Sequence, residues 1–303
     1  MREASAAPVS PAPPFRPGQE FRPEPPTGRV FAGTRPVRST DVTPSGRFRL
    51  DALARYLQDV AEDDVAATGW QAPYGWLLRR CTVVIRGYPQ SGERLRLRTF
   101  CSATGPRWAE RTTTVAGPGG DLIQAVAVWV AADRATGRPC PLGEEFHRIY
   151  GEAAQGRSVS ARLSLPGPES VLPDPQKAGP GREWPLRASD FDMAGHVNNS
   201  VHWAALEDVI AGLGWLPASA ELEYHRPIRP GCRPSLLTGP EASLGSGPGA
   251  DAIDGPIDGR TNGTSGAPAS GRAGGVTGSE NGRGLYVWLL DGAQRLASGQ
   301  LAR

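Results

Sequence analysis

Along the chain the apolar positions alternate between two spacings, and they do so twice in the same order. In the first block "TRPVRSTDV" predicts a short strand. "LDALARYLQDVAEDDVAATG" follows, with Leu50, Leu53, Leu57, Val60 and Ala61 at helical spacing. Gly69 closes that segment and predicts the helix stop. Four apolar stretches come next: "WLLRRCTVVIRGY", "RLRLRTFCSAT", "RWAERTTTVAG" and "DLIQAVAVWVAAD". The breaks between them, "PQSGE", "GP" and "GPGG", carry turn chemistry, so all four read as strands. The second block repeats this order. "EWPLRAS" predicts a strand, "NSVHWAALEDVIAGLG" a helix, and "SAELEYHRPI", "CRPSLLT", "GLYVWLLD" and "AQRLASGQLA" four strands.

Segments without apolar periodicity set the boundaries. Residues 1–30 are rich in proline and predict a disordered tail. Residues 151–182 read as a linker. Residues 239–284, dominated by Gly, Ser and Ala, predict a disordered insertion. Two ordered domains remain, 31–150 and 183–303.

The two blocks also align residue by residue. At the offset that carries Arg38 to Arg187, Asp41 meets Asp190, Gly46 meets Gly195, Leu57 meets Leu206, Asp59 meets Asp208 and Val60 meets Val209. So many identities at one ungapped offset mark an internal tandem repeat.

Composition narrows the function classes. A net charge of +2 implies no strong field toward nucleic acid or a membrane. No apolar run reaches the length of a membrane span, and no apolar region follows Arg2, so a cytosolic protein is expected. Cys81, Cys101, Cys140 and Cys232 form no C-x-x-C pair, which argues against a zinc site. No metal or organic cofactor is implied.

The densest polar chemistry is "DFDMAGHVNN", Asp190 to Asn199. The repeat separates its residues into two kinds. Asp190 and Gly195 recur in both copies and serve folding, Asp190 as a turn or helix-entry cap. Asp192 faces Thr43, His196 faces Arg47 and Asn199 faces Leu50, so these three belong to the second copy alone. A carboxylate and an imidazole beside a helix start suit water activation: Asp192 as base or nucleophile, His196 assisting. Backbone amides at Gly195 and His196 are the expected oxyanion donors. The catalytic candidates are therefore Asp192, His196, Gly195 and Asn199. Asn198, Trp203 and Glu207 are the candidate substrate contacts. Asn198 also suits a helix cap, Trp203 a core position, and Glu207, which faces Gln58 at the repeat offset, an exposed helix position.

Strand, helix and four strands, twice over and with D-x-D-x-x-x-H-V-N-N in the second copy, resemble the acyl-ACP thioesterases of plant plastids and bacteria. "VRSTDV", "LQDVAEDDV" and "RGYPQSGERLRLRTF" add to the likeness. The resemblance implies an α+β fold, a tandem hotdog of two antiparallel sheets each wrapping a helix. It also implies hydrolysis of fatty acyl thioesters, with the chemistry in the C-terminal unit. Substrate and partner would be an acyl carrier protein or CoA thioester, and the protein a monomer or homodimer. Two positions depart from the plant pattern: Ala194 stands where it has asparagine, and Pro227 where it has an acid after the helix. Glu223 and His225 sit near that acid's place, with packing roles the simpler reading. Arg94, Arg96 and Arg98 alternate with leucines, as a solvated strand face or a stripe for an acidic carrier or a phosphate. The alternatives are an acyl-CoA thioesterase and a non-catalytic acyl-thioester-binding protein; a hotdog dehydratase is disfavoured by the signature.

Overall fold

The computed structural model describes residues 21–173, 181–240 and 284–303. The N-terminal half runs β1 (Val30–Pro36), α1 (Leu50–Thr68), β2 (Gly75–Ile85), β3 (Arg94–Thr104), β4 (Trp108–Gly117) and β5 (Gly120–Ala132). After α2 (Glu144–Ala154) and one turn of helix, α3 (Pro168–Val171), the C-terminal half repeats the order. It runs β6 (Arg182–Glu183), α4 (Asn199–Ile210), β7 (Ser219–Tyr224), β8 (Ser235–Pro240), β9 (Gly284–Asp291) and β10 (Gln294–Ala302).

The strands form one antiparallel sheet in the order β1-β3-β4-β5-β2-β7-β10-β9-β8-β6. Each half contributes five strands in mirrored order. The halves meet at β2 and β7, paired from Arg80↔Glu223 to Val84↔Ser219. The two expected sheets are thus joined edge to edge into one. Each half retains the strand–helix–four-strand hotdog order, and α1 and α4 pack against each other. One core runs through both halves. Leu50, Leu53 and Val60 of α1 and Trp203, Leu206 and Ile210 of α4 pack with inward strand residues such as Leu95, Leu97, Val115, Ile123, Leu222 and Leu301. Period 3.6 on the helices and period 2 on the strands deliver these apolar faces to one side. Gly69 ends α1 at φ +70°, its N–H donating to the Ala66 carbonyl, as the stop signal predicted.

Several boundaries differ from the sequence expectation. Residues 21–30, expected in the tail, lie on the sheet. The Arg22 N–H donates to Gln124 Oε1 at 2.7 Å, Arg22 and Arg98 pair with Glu110 and Glu24, and Arg86 lies over the Phe21 ring. The first strand begins at Val30, upstream of "TRPVRSTDV", and Ser39–Asp41 is a 3-10 turn. "EWPLRAS" yields only the two-residue β6, since Pro185 has no N–H to give a sheet ladder. Helix α2 extends to Ala154, into the expected linker, and buries Phe146, Tyr150, Ala153 and Ala154. That linker also touches the C-terminal half: Glu223, wholly buried, accepts the Ser164 and Leu165 N–H groups at 2.6 and 3.1 Å. Residues 1–20 of the expected tail and 241–283 of the expected insertion lie outside the described residues.

Candidate active site

The segment Asp190–Asn199 forms a tight loop into the N-terminus of α4. Asp190 is buried and ties the loop at both ends: its carboxylate accepts the Arg187 N–H at 2.7 Å and its carbonyl accepts the Asn198 N–H at 2.8 Å. Asp41 makes the same two bonds to Arg38 and Arg49 in the first half. Asp190 is therefore the shared folding residue of the repeat.

Between these anchors the chain reverses. The Asp192 N–H donates to the His196 carbonyl at 2.8 Å, and the Gly195 N–H to the Asp192 carbonyl at 3.0 Å. Gly195 takes φ +72°, the left-handed region that a side chain strains. A Cβ there would have no atom within 4 Å, so the loop opens to free space above it. Asp192 Oδ1 accepts the Ala194 N–H at 2.9 Å and the His196 N–H at 3.3 Å. In the first half Thr43 closes the same turn, its Oγ1 accepting the Arg47 N–H at 3.2 Å across Gly46 at φ +87°. The turn thus needs an acceptor but not a carboxylate. What Asp192 adds is a charge and a second oxygen, Oδ2, which bonds to nothing among the described residues. The His196 imidazole is half-exposed and likewise has no hydrogen-bond partner among them. The Asp192 carboxylate reaches the His196 backbone and not its ring.

The oxyanion donors expected at Gly195 and His196 are already engaged, because α4 begins three residues later. Asn198 is its N-cap, with Oδ1 accepting the Ser200 N–H at 2.9 Å and hydroxyl at 2.8 Å. That commits the Asn198 carbonyl to capping, a job the sequence expectation had weighed beside substrate contact. The amide left without an acceptor among the described residues is that of Asn199, the first residue of α4. It lies at the positive end of the helix, where an anion is stabilised.

The three substrate-contact candidates divide. Only Asn198 adjoins the loop. Trp203 lies in the core, 1% exposed, and donates through Nε1 to the Tyr224 hydroxyl at 3.0 Å. That hydroxyl donates in turn to the Asn199 carbonyl at 3.2 Å, so the pair steadies the helix start from beneath. Glu207 is neither on an exposed face nor at the loop. It crosses to the other helix terminus, where Oε1 accepts the Leu50 N–H at 2.7 Å and Arg47 donates to Oε1 and Oε2 at 3.1 and 2.5 Å. Leu50 is the repeat equivalent of Asn199, and Arg47 that of His196. The first half thus holds a carboxylate at the amide that is unfilled in the second.

Sequence reasoning passed over His202. Buried one turn into α4, it bonds the Asn198 carbonyl through Nδ1 at 3.2 Å and meets the Tyr224 ring edge-on at 5.0 Å. Burial lowers its pKa to about 4, so it is neutral and structural. Its signal, a histidine four residues after the helix cap, was present but indistinguishable from a surface position. Glu223 and His225 do not replace the acid missing at Pro227. Glu223 holds the linker, and His225 bonds Ser298 Oγ at 3.0 Å. Instead the Ile228 carbonyl accepts the Val197 N–H at 2.9 Å, fixing the loop by backbone alone. Among the described residues no group of three His, Cys, Asp or Glu side chains is placed to hold a metal ion. No helix among them is long and apolar enough to cross a membrane.

The comparisons agree with this architecture. Residues 28–150 match the family model of the acyl-ACP thioesterase N-terminal domain, and residues 174–243 that of its C-terminal domain. An uncharacterised protein of Mycobacterium tuberculosis is 25% identical over 210 residues, covering 68% of this chain and 81% of its own. Among solved structures, a putative oleoyl thioesterase from Lactobacillus plantarum superposes with TM-score 0.69 at 16% identity, over 91% of this chain and 96% of its own. The 12:0-ACP thioesterase from Umbellularia californica gives 0.64 at 18%, over 90% and 93%. The repeated hotdog order, the joined sheet and the two matched domains together place this chain in the acyl-ACP thioesterase family, as a thioester hydrolase.

Proposed function

We propose that hydrolysis takes place at the N-terminus of α4, on fatty acyl thioesters of acyl carrier protein. The observation that carries this reading is the Asn199 amide. It has no acceptor among the described residues, while its twin at Leu50 holds the Glu207 carboxylate. That twin supports the Asn199 amide as a place for a carboxylate-like oxygen, such as the oxyanion of a thioester under attack.

Asp192 is the general base. Its Oδ1 is pinned by two N–H groups, Oδ2 bonds to nothing among the described residues, and the loop opens to free space at Gly195. Water gives Oδ2 a proton as its oxygen bonds the thioester carbon, and the carbonyl oxygen becomes an oxyanion against the Asn199 N–H. When the carbon–sulfur bond breaks, that proton passes from Asp192 Oδ2 to the departing sulfur. The products are a fatty acid and a thiol. A cleft of about 330 Å³ adjoins the loop at Phe191 and carries Arg187 and Arg233, which suit the phosphate of a pantetheine arm.

The test is thiol release from C8 to C18 thioesters of acyl carrier protein and of CoA by wild type and Asp192→Asn. Asparagine keeps the Oδ1 acceptor and so the turn. Turnover should fall by about 10²- to 10⁴-fold in a variant of unchanged melting temperature. Turnover within threefold of wild type would remove Asp192 from the chemistry. Faster release from CoA than from carrier protein would overturn the carrier assignment.

A further inference from the structure

The two helix termini of the repeat are filled differently, and the difference lies in one pair of residues. Glu207 of α4 reaches the Leu50 N–H at the start of α1. The repeat places Gln58 of α1 at the position of Glu207, and Asn199 at that of Leu50. The same relation therefore directs Gln58 from the N-terminal half toward the start of α4. Gln58 Oε1 is one of four buried side-chain oxygens without a hydrogen-bond partner among the described residues. The Asn199 N–H, its counterpart by symmetry, is also unpaired. Polar groups left unpaired inside a protein mark a place where something else supplies the partner. The side chain as a whole is partly exposed while its oxygen is not, which leaves the NH2 end to meet a ligand.

We propose that Gln58 is the second oxyanion donor of the α4 site, supplied by the opposite half of the chain. This rests on the reading of Asp192 and Asn199 given above. The Gln58 Nε2 donates to the thioester carbonyl oxygen beside the Asn199 N–H, and both bonds strengthen as that oxygen gains charge. Neutrality is the other half of its role. A carboxylate at position 58 would take the Asn199 amide as Glu207 takes that of Leu50, and would repel an oxyanion. The chain thus carries one site closed by Glu207 with Arg47 and one held open by Gln58.

The test uses the full chain with dodecanoyl and hexadecanoyl thioesters of acyl carrier protein and CoA. Wild type, Asp192→Asn, Gln58→Glu and Gln58→Met are compared for kcat, KM and melting temperature. Gln58→Glu should lose about a hundredfold or more in kcat with KM within about threefold. Gln58→Met removes the donor and also the unpaired buried oxygen, so kcat should fall by about tenfold or more while the melting temperature holds or rises. A purely structural glutamine would instead give a lower melting temperature and an unchanged kcat in the surviving fold. The inference is overturned if both variants keep kcat within threefold of wild type while Asp192→Asn is inactive. If Asp192→Asn also keeps wild-type kcat, the site reading falls and this inference with it.

Discussion

Breaking the Arg47–Glu207 pair tests the closed helix terminus directly. The side chains are 11% and 9% exposed, and the pair bridges the two halves of the chain. Glu207→Ala leaves a guanidinium with its desolvation unpaid and the Leu50 N–H without its acceptor. Losing one partner of a buried pair costs about 3–5 kcal/mol. Arg47→Met leaves the carboxylate with only the Leu50 N–H, and should cost about 3 kcal/mol on the same grounds. In Arg47→Met/Glu207→Leu no buried charge remains. The residual losses are the acceptor of Leu50 and the Arg47 bond to the Phe48 carbonyl, about 2 kcal/mol together. The double variant should therefore be more stable than either single one, with a coupling energy of at least about 2 kcal/mol. Urea unfolding followed by tryptophan fluorescence reads this, provided the m-values agree across the four proteins. Additivity within 0.5 kcal/mol would refute a coupled Arg47–Glu207 pair. So would a Glu207→Gln variant of wild-type stability whose kcat falls by more than about tenfold, since that would put Glu207 on the substrate.

Three further outcomes follow from the geometry. Gly195→Ala meets no atom but must hold φ +72°, so it should destabilise by about 1–2 kcal/mol, read as a lower urea midpoint. His202 and His225 both have pKa values lowered by burial to about 4, so the unfolded chain binds protons that the folded chain does not. Their contribution is full above the unfolded value near 6.5 and is lost as pH falls toward 4. His202→Phe/His225→Phe should flatten the stability–pH slope across that window, by up to about 1.4 kcal/mol per pH unit for each histidine. Cys81 and Cys101 are buried, with thiols pushed up to about 12, whereas Cys140 and Cys232 are partly exposed. A thiol reagent should therefore label no more than two cysteines in the native protein and four in denaturant; four in the native state would contradict that burial.

Much of the fold was legible because the signals were repeated. The seams of α1 and α4 and the shared Arg, Asp and Gly of the two loops each reported a local preference twice, and the Gly69 stop did so once. The joining of the sheets was not legible, because pairing between β2 and β7 depends on which edges meet and leaves no local mark. Helix α2 carried its apolar residues at helical spacing, but the Pro- and Gly-rich stretch beside it hid the pattern. At the site, Asp192, Gly195, His196 and Asn199 do share one loop at a helix start, as the sequence suggested, but individual bonds were misjudged. Sequence reasoning set the free amides at Gly195 and His196, before the helix begins at Asn199. It read Glu207 as solvent-facing or substrate-facing because its partners, Arg47 and Leu50, lie some 160 residues away.

The seam at β2 and β7 makes one polypeptide of what two identical chains could assemble. In a symmetric pair of chains one codon would write both helix positions, and a glutamate that shut one terminus would shut the other as well. Fusion removes that constraint. Each terminus answers to its own codon, so one can be given over to holding the molecule together while the other stays free to change its chemistry.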